Sequence, residues 1–338
     1  MSAAPDHQLV TDEVEACIGT TVSYEAPEDL DAGAIRYFAA AIGSDPARWA
    51  QEAPPTLVCE TNQLTGRSKP DSNGYLGHTW DLPFPVPVDL IRGGNDYHFH
   101  HPVRPGHRIL TTWTLTSVEE RGIESGHRLA VATAEAAYRL PDGDLMATNT
   151  ETLLYLPRPA ASATPVTTAA ATQVQATPRV VGTGRCSEPP DLESASLSAP
   201  TLFGGSARPA VGDRLPVLER TLGLGDLVAY GAATWDWHRI HFDTERATEA
   251  GMPGPVVDGQ MFGALLAEQL TAWLGGKGRI GGLHFRNRAP VHPGATIRCE
   301  GEVVDVGRAG CVVNQRILVD GEPVVEPAGA EIRLDGAL

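Results

Sequence analysis

Apolar and polar residues alternate in four long runs of the chain. "ILTTWTLT" (109–116) and "LAVATAEAAYRL" (129–140) lie in the first half, and "TIRCEGEVVDV" (296–306) and "GCVVNQRIL" (310–318) lie in the second. A period of two is typical of strands with one buried face. Asp142-Gly143 and Asp320-Gly321 stand between such runs, where glycine supplies the positive φ of a tight hairpin turn. The pattern therefore predicts an antiparallel meander in each half.

The two halves also resemble each other in order. "HPVRPGHRI" (101–109) matches "APVHPGATI" (289–297), and upstream "IRYFAAAIGSD" matches "DLVAYGAATWD" when Asp45 is set against Asp236. Repeats at a fixed order are the mark of a duplicated unit. Each half is predicted to run from a helix, through an excursion, into a meander of long strands.

The halves differ in the excursion. In the second half, "DGQMFGALLAEQLTAWL" (258–274) has apolar residues at helical spacing and predicts a long helix wrapped by the sheet. The matching region of the first half, 62–99, is rich in glycine, proline and aromatic residues and predicts irregular structure instead. An Ala/Thr/Pro-rich stretch between them predicts a linker. The predicted organisation is 1–157, a first unit; 158–207, a linker; and 208–338, a second unit.

Charge and cysteine usage narrow the function classes. The 338 residues carry a formal net charge of −16, without a long basic run, which disfavours nucleic acid and anionic membranes as partners. Neither an apolar run of membrane-spanning length nor a basic-then-apolar start is seen, so we expect a cytoplasmic protein. Five cysteines without a C-x-x-C pair disfavour a disulfide framework and a thiolate zinc site.

Three residues of the second half resemble the motif of a known family. Asp236 and His241 lie in "WDWHRIHFD", and Gly259 opens the predicted helix. This spacing resembles the Asp-x-Asn-Pro-x-His motif and helix glycine of the MaoC-like (R)-specific hydratases and dehydratases, closest to mesaconyl-CoA hydratase-like proteins and fatty-acid-synthase dehydratase regions. The resemblance implies an α+β double hotdog fold: two antiparallel sheets, with a long central helix kept in the C-terminal half.

The sequence departs from the family motif at several positions. His238 and Arg239 replace the usual Asn and Pro, and Asp258 replaces a His that often precedes the helix glycine. In the first half, Asp45 is present, but Ala50 stands where the repeat would put the second histidine. We therefore expect a single active site, in the second half.

The resemblance implies the chemistry of water addition to a 2-enoyl thioester, or its removal from a 3-hydroxyacyl thioester. Asp236 and His241 would polarise one water on one face of the substrate, and His241 would be the C2 base in dehydration. Helix-start N–H groups at Gly259 would stabilise charge on the thioester carbonyl oxygen. His238 and Asp258 are expected to orient the substrate. Each role has a plainer alternative: Asp236 and Asp258 could be turn and helix caps, and the glycine could serve packing.

Other candidates are weaker. Arg286 and Arg288, on alternate positions of "FRNRAP", could receive phosphates of coenzyme A or of a carrier-protein pantetheine, or could form a solvated strand face. An acyl pocket could be lined by aromatic residues of the first-half excursion, which could equally be a loop packed on itself. These residues are Trp80, Phe84, Tyr97 and Phe99.

A metal site was weighed against acid–base chemistry. His238 and His241 with Asp236 offer three ligands at a local spacing, but H-E-x-x-H and a second ligand cluster are missing. We expect no metal and no cofactor, with CoA or phosphopantetheine entering as part of the substrate. The expected partner is an acyl-CoA or acyl carrier protein thioester, and homodimerisation stays open. A hotdog thioesterase and a non-catalytic acyl-thioester binding subunit remain the alternative functions.

Overall fold

A computed structural model describes residues 8–65, 69–71, 73–122, 128–157 and 208–335. The predicted linker, 158–207, lies outside the described residues. Within the described residues no helix is both long enough and apolar enough to cross a membrane.

The described strands form one antiparallel sheet of ten strands. Their order across the sheet is β1-β3-β4-β5-β2-β7-β10-β9-β8-β6. In chain order they are β1 Thr21–Glu25, β2 Val88–Phe99, β3 Leu110–Gly122, β4 Arg128–Arg139, β5 Leu145–Pro157, β6 Leu218–Thr221, β7 Gly278–Asn287, β8 Thr296–Val306, β9 Gly310–Val319 and β10 Glu322–Leu334.

Short helices and one long helix cover this sheet. They are α1 Asp12–Glu15, α2 Ala32–Ala41, α3 Leu57–Glu60, α4 Leu224–Thr234, α5 Thr244–Glu249 and α6 Gly259–Leu274, with 3-10 turns at Pro46–Trp49, Asn62–Thr65 and Arg239–His241. The predicted antiparallel meanders are present in both halves, because the alternating runs bury one face of each strand.

The two predicted sheets are the halves of one continuous sheet. β2 of the first half pairs antiparallel with β7 of the second, and the register is centred on Asp96 opposite His284. These two positions each lie five residues before the repeated nonapeptides, so they are equivalent in the repeat. The halves are therefore related by an approximate two-fold axis at this pair. The sequence could not show this join, because strand pairing between repeats leaves no separate pattern.

Backbone hydrogen bonds confirm the equivalence of the halves. The Val257 N–H donates to the Val291 carbonyl at 2.8 Å, and the Ala53 N–H donates to the Val103 carbonyl at 2.8 Å. Val103 and Val291 occupy the same place in the two repeated nonapeptides. The segment that leads into α6 thus has a matched counterpart leading into α3.

The long helix α6 lies in the core. Asp258 caps its start, and Gly275, with φ 53°, ends it in the left-handed conformation that favours glycine. Its fully buried apolar side chains include Met261, Leu265, Leu266, Leu270 and Trp273. Among the described residues of the first half, α3 and the turn at Asn62–Thr65 occupy the equivalent place.

The prediction of irregular structure over residues 62–99 is partly wrong. Its last twelve residues, Val88–Phe99, form β2, one of the two strands that join the halves. The glycine pair Gly93-Gly94 misled the prediction; Gly94 lies at a register irregularity of β2, with φ 155°.

Candidate active site

The left-handed backbone conformation of Trp235 directs the Asp236 side chain into the protein. Helix α4 ends at Thr234, Trp235 has φ 57°, and the Asp236 N–H returns to the Gly231 carbonyl at 2.9 Å. A Cβ at Gly231 would lie 2.7 Å from the Asp236 carbonyl oxygen, so this close turn requires glycine. Trp235 and Trp237 are about half exposed, whereas Asp236 is only 3% exposed. The turn therefore buries the carboxylate and leaves its two aromatic neighbours outside.

Three polar side chains converge at this point. One ligand atom from each of Asp236, His241 and Asp258 lies within 4.8 Å of the others. The His241 Nδ1 hydrogen-bonds the Val256 carbonyl at 2.8 Å. A carbonyl only accepts, so Nδ1 carries the proton and Nε2 of the neutral ring holds the free lone pair. The hydrogen bond thereby leaves Nε2 as the ring nitrogen that can exchange a proton in the site.

Burial changes the acid–base properties of the cluster. Burial, and then the nearby Asp258 carboxylate, raise the pKa of Asp236 from 3.8 to about 6, against the lowering effect of His241 and the His238 N–H. Burial, and then His241, lower the pKa of His238 to about 4, so His238 is neutral at pH 7. A carboxylate with a pKa near 6 is suited to exchanging protons close to neutral pH.

Asp258 organises the start of α6. Its carboxylate accepts the Gln260 N–H at 2.9 Å, and its carbonyl accepts the Met261 N–H at 3.0 Å. The Gly259 N–H precedes both donors, at the first position of the helix, where no intrahelical acceptor exists. A Cβ at Gly259 would lie 2.4 Å from the Asn287 Nδ2. Glycine thus lets the helix start approach β7 closely.

The first half supplies a largely buried arginine to the site, at a position that the sequence alone does not mark. Arg92 on β2 donates from Nε to Glu151 at 2.6 Å and from Nη2 to the Tyr75 hydroxyl at 3.2 Å, and its Nη1 lies 3.9 Å from Asp258. Tyr75 in turn forms a single β-bridge with Asp236. Burial raises the pKa of the Tyr75 hydroxyl well above its usual value, so it stays protonated. No local pattern marks these residues, because their partners come from distant strands.

The first-half loop at Asn73 and Gly74 also contacts the segment that carries His241. The Arg239 N–H donates to the Asn73 carbonyl at 2.8 Å, and Arg246 donates to the Asn73 side chain at 3.0 Å. A Cβ at Gly74 would lie 2.1 Å from the Trp237 carbonyl oxygen. Arg239 itself is exposed and donates to Asp243 at 2.9 Å, as a surface turn residue would.

A small polar cavity of about 20 Å³ adjoins the site. Tyr75, Arg92 and Gln260 are among its lining residues, together with the polar Asn62 and Thr111. This volume is enough for a single water. The Thr111 hydroxyl is buried without a hydrogen-bond partner among the described residues, and a water there would give it one.

The predicted phosphate-binding arginines are engaged within the protein. Arg286 on β7 forms an ion pair with Asp96 at 2.5 Å and donates to the Asn95 carbonyl at 3.1 Å. Arg288 lies just beyond the end of β7 and donates to the Glu326 carbonyl. Arg286 thus links β2 to β7, where the two halves of the sheet meet. Phosphate binding by Arg286 or Arg288 remains a prediction.

The predicted acyl-pocket aromatics are spread over two elements. Trp80 packs edge-on against His78 at 4.4 Å and Phe84 against Tyr155 at 4.9 Å, between ring centroids. Tyr97 and Phe99 lie on β2 and are buried. Among the described residues that line the small polar cavity, none of the four appears. Their role as an acyl pocket remains a prediction.

The cluster of Asp236, His241 and Asp258 could also offer three ligands to a cation. The set differs from the one weighed from the sequence, because Asp258 takes the place of His238. One imidazole and two carboxylates suit several divalent metals. The hydrogen bond from Nδ1 to the Val256 carbonyl leaves Nε2 for either a metal or a water.

Two family models match the chain, one in each half. Residues 209–320 match the family described as "MaoC like domain", and residues 16–143 match "FAS1-like, dehydratase domain region". Together the matched segments span most of the chain. No curated protein matches the chain.

Solved structures agree on the fold. The chain is 22% identical to a MaoC-like dehydratase, covering 95% of this chain and 100% of that one, with a TM-score of 0.67. It is 13% identical to a MaoC-like dehydratase from Phytophthora capsici, covering 97% and 99%, with a TM-score of 0.61. It is 16% identical to the peroxisomal multifunctional enzyme type 2 from Drosophila melanogaster, covering 92% of this chain and 48% of that one, with a TM-score of 0.59.

These findings confirm the α+β double hotdog fold. The second half therefore carries a MaoC-like domain, and the first half carries a FAS1-like dehydratase region. These two matches support hydratase or dehydratase activity in general, that is, the activity of a hydro-lyase.

Proposed function

We propose that the chain hydrates a 2-enoyl thioester, or dehydrates a 3-hydroxyacyl thioester, with Asp236 and His241 as its acid–base pair. The observation that carries the proposal is the buried cluster in which both side chains lie within 4.8 Å of each other and of Asp258. Two acceptors at this separation can share one water. The substrate is carried by CoA or an acyl carrier protein, and neither a metal nor a cofactor takes part.

In hydration, Asp236 and His241 hold the water and take up its proton as oxygen bonds to C3. The proton then goes to C2 on the same face, so no net proton is lost. The Gly259 N–H donates to the thioester oxygen as charge develops there, and the start of α6 adds its positive dipole. Asp258 and His238 orient the substrate. In dehydration, His241 removes the C2 proton, and a proton from the same Asp236–His241 pair reaches the C3 oxygen, which leaves as water.

Thioester hydrolysis is the second candidate, because the same helix start could polarise the same carbonyl. A single assay separates the two. Crotonyl-CoA is incubated with the protein while enoyl absorbance and free thiol are followed together. We expect absorbance to fall with thiol unchanged; thiol release would support the thioesterase, and binding without either change would support a non-catalytic subunit. The cytoplasmic location and the homodimer remain predictions.

A further inference from the structure

A cavity of about 630 Å³ lies at the end of α6 that is remote from the catalytic cluster. This volume is typical of sites for small-molecule ligands. Because α6 has 16 residues, the two ends are about 24 Å apart. We call this space the mate cavity; its apolar walls are Trp49, Val58, Phe99, Val103, Leu274 and Ile280.

The mate cavity occupies the two-fold equivalent of the active site. Ala53 and Val103, whose hydrogen bond matches that of Val257 and Val291, both line it. By the same repeat, Ile280 at the cavity is the counterpart of the site arginine Arg92. The duplication thus leaves two equivalent spaces, one at each end of α6.

The first half keeps the counterpart of Asp236 but has lost the other groups that the chemistry would need. That counterpart is Asp45, whose carboxylate accepts the Ala47 N–H at 2.9 Å and so caps its own turn. Ala50 stands at the position of the catalytic histidine. Counting forward from the matched donors Ala53 and Val257, Pro54 and Pro55 stand at the positions of Asp258 and Gly259. A proline has no N–H, so the donor for a thioester oxygen is missing. This space can bind a ligand but cannot add water to it.

The polar groups of the mate cavity suit an amphipathic ligand with a charged end. Arg104 and Arg279 are exposed, and neither guanidinium has a hydrogen bond or ion pair with any described residue. Arg48 also lines the cavity but is paired with Glu268 outside it at 2.8 Å. The carboxylates of Glu52 and Asp335, and the imidazoles of His100 and His101, complete the polar lining. The free arginines can meet phosphate, while the apolar walls meet an acyl chain.

We propose that the mate cavity is a second acyl-thioester site, which binds without turnover. The ligand class rests on the proposed function, because the mate cavity is the repeat counterpart of the site at which a thioester is proposed to react. The acyl group would lie against the apolar walls, and Arg104 and Arg279 would meet the phosphates of the carrier.

The test counts binding sites with butyryl-CoA, which has no double bond to hydrate. Isothermal titration of the full chain should give two sites. Thr271, partly exposed on α6, lines the mate cavity, whereas its neighbour Ala272 does not. Thr271→Trp should fill the space and leave one site, and the matched control Ala272→Trp should keep two. A single site in the wild type, or two sites in Thr271→Trp, would overturn the proposal.

A second variant guards against misfolding of Thr271→Trp. Arg104→Glu with Arg279→Glu changes only exposed side chains and should weaken one of the two sites about tenfold, more at low salt. Equal affinities with and without this change would overturn the placement of the phosphates. Crotonyl-CoA hydration by each variant is measured separately: its absence in the wild type contradicts the proposed function, whereas the site count alone tests the mate cavity.

Discussion

The raised pKa of Asp236 predicts the pH at which hydration fails. The shift from 3.8 to about 6 corresponds to about 3 kcal/mol favouring the protonated form. Only the ionised carboxylate can take up a proton, so the hydration rate should fall as pH drops through about 6, rather than through about 4. Asp258→Asn removes the second cause of the shift but keeps an amide that caps α6 well. The pH at which the hydration rate falls on the acidic side of the profile (the acidic limb) should therefore decrease by up to about one unit. The larger effect, that of burial, remains.

The assay is the pH dependence of kcat/KM for crotonyl-CoA hydration between pH 4.5 and 8, at constant ionic strength. Asp243→Asn is the matched control, because Asp243 caps the neighbouring helix α5 and lies outside the cluster. Its limb should not move. An acidic limb that is unchanged in Asp258→Asn, or a wild-type limb near pH 4, would contradict the assignment of the raised Asp236 pKa to Asp258 and burial.

Three further outcomes follow from the structure. Gly259→Ala puts a Cβ 2.4 Å from the Asn287 amide, so the helix start or that amide must move. Because a displacement of about 1 Å at a reacting site can cost about a hundredfold, kcat should fall by about that factor with the fold intact by circular dichroism. Gly225→Ala, with open space around it, should be unchanged. Arg92→Met leaves Glu151 buried without its partner and should lower the urea unfolding free energy by about 3–5 kcal/mol; a loss under 1 kcal/mol would contradict the buried pair. Dialysis against EDTA should leave hydration unchanged, and loss restored by a divalent metal would instead make the three-ligand cluster a metal site.

The sequence predicted much of the fold because its evidence is local or repeated. Alternation along 109–140 and 296–318 predicted the meanders, and the helix over 258–274 has the observed bounds to within one residue. The repeat of 101–109 in 289–297 also predicted the duplication. The join between β2 and β7 was missed, because the Asp96–His284 pairing depends on contacts between repeats.

The site was predictable only where its residues lie close together in the sequence. Asp236, His241 and Asp258 lie close together in the structure, with the helix glycine beside them, and their roles remain predictions. Arg92 and Tyr75 were not found, because their importance comes from burial beside the cluster and from the Glu151 partner on another strand. A charged residue next to two glycines in a strand carries no such information by itself.

The central claim is that Asp236 and His241 together perform the water chemistry. The most direct measurement is crotonyl-CoA hydration by Asp236→Asn and His241→Ala, compared with wild type at pH 7.5, with butyryl-CoA titration to show that binding is kept. Each variant should lose at least about a hundredfold in kcat. A variant that binds the thioester and retains wild-type hydration would contradict the account.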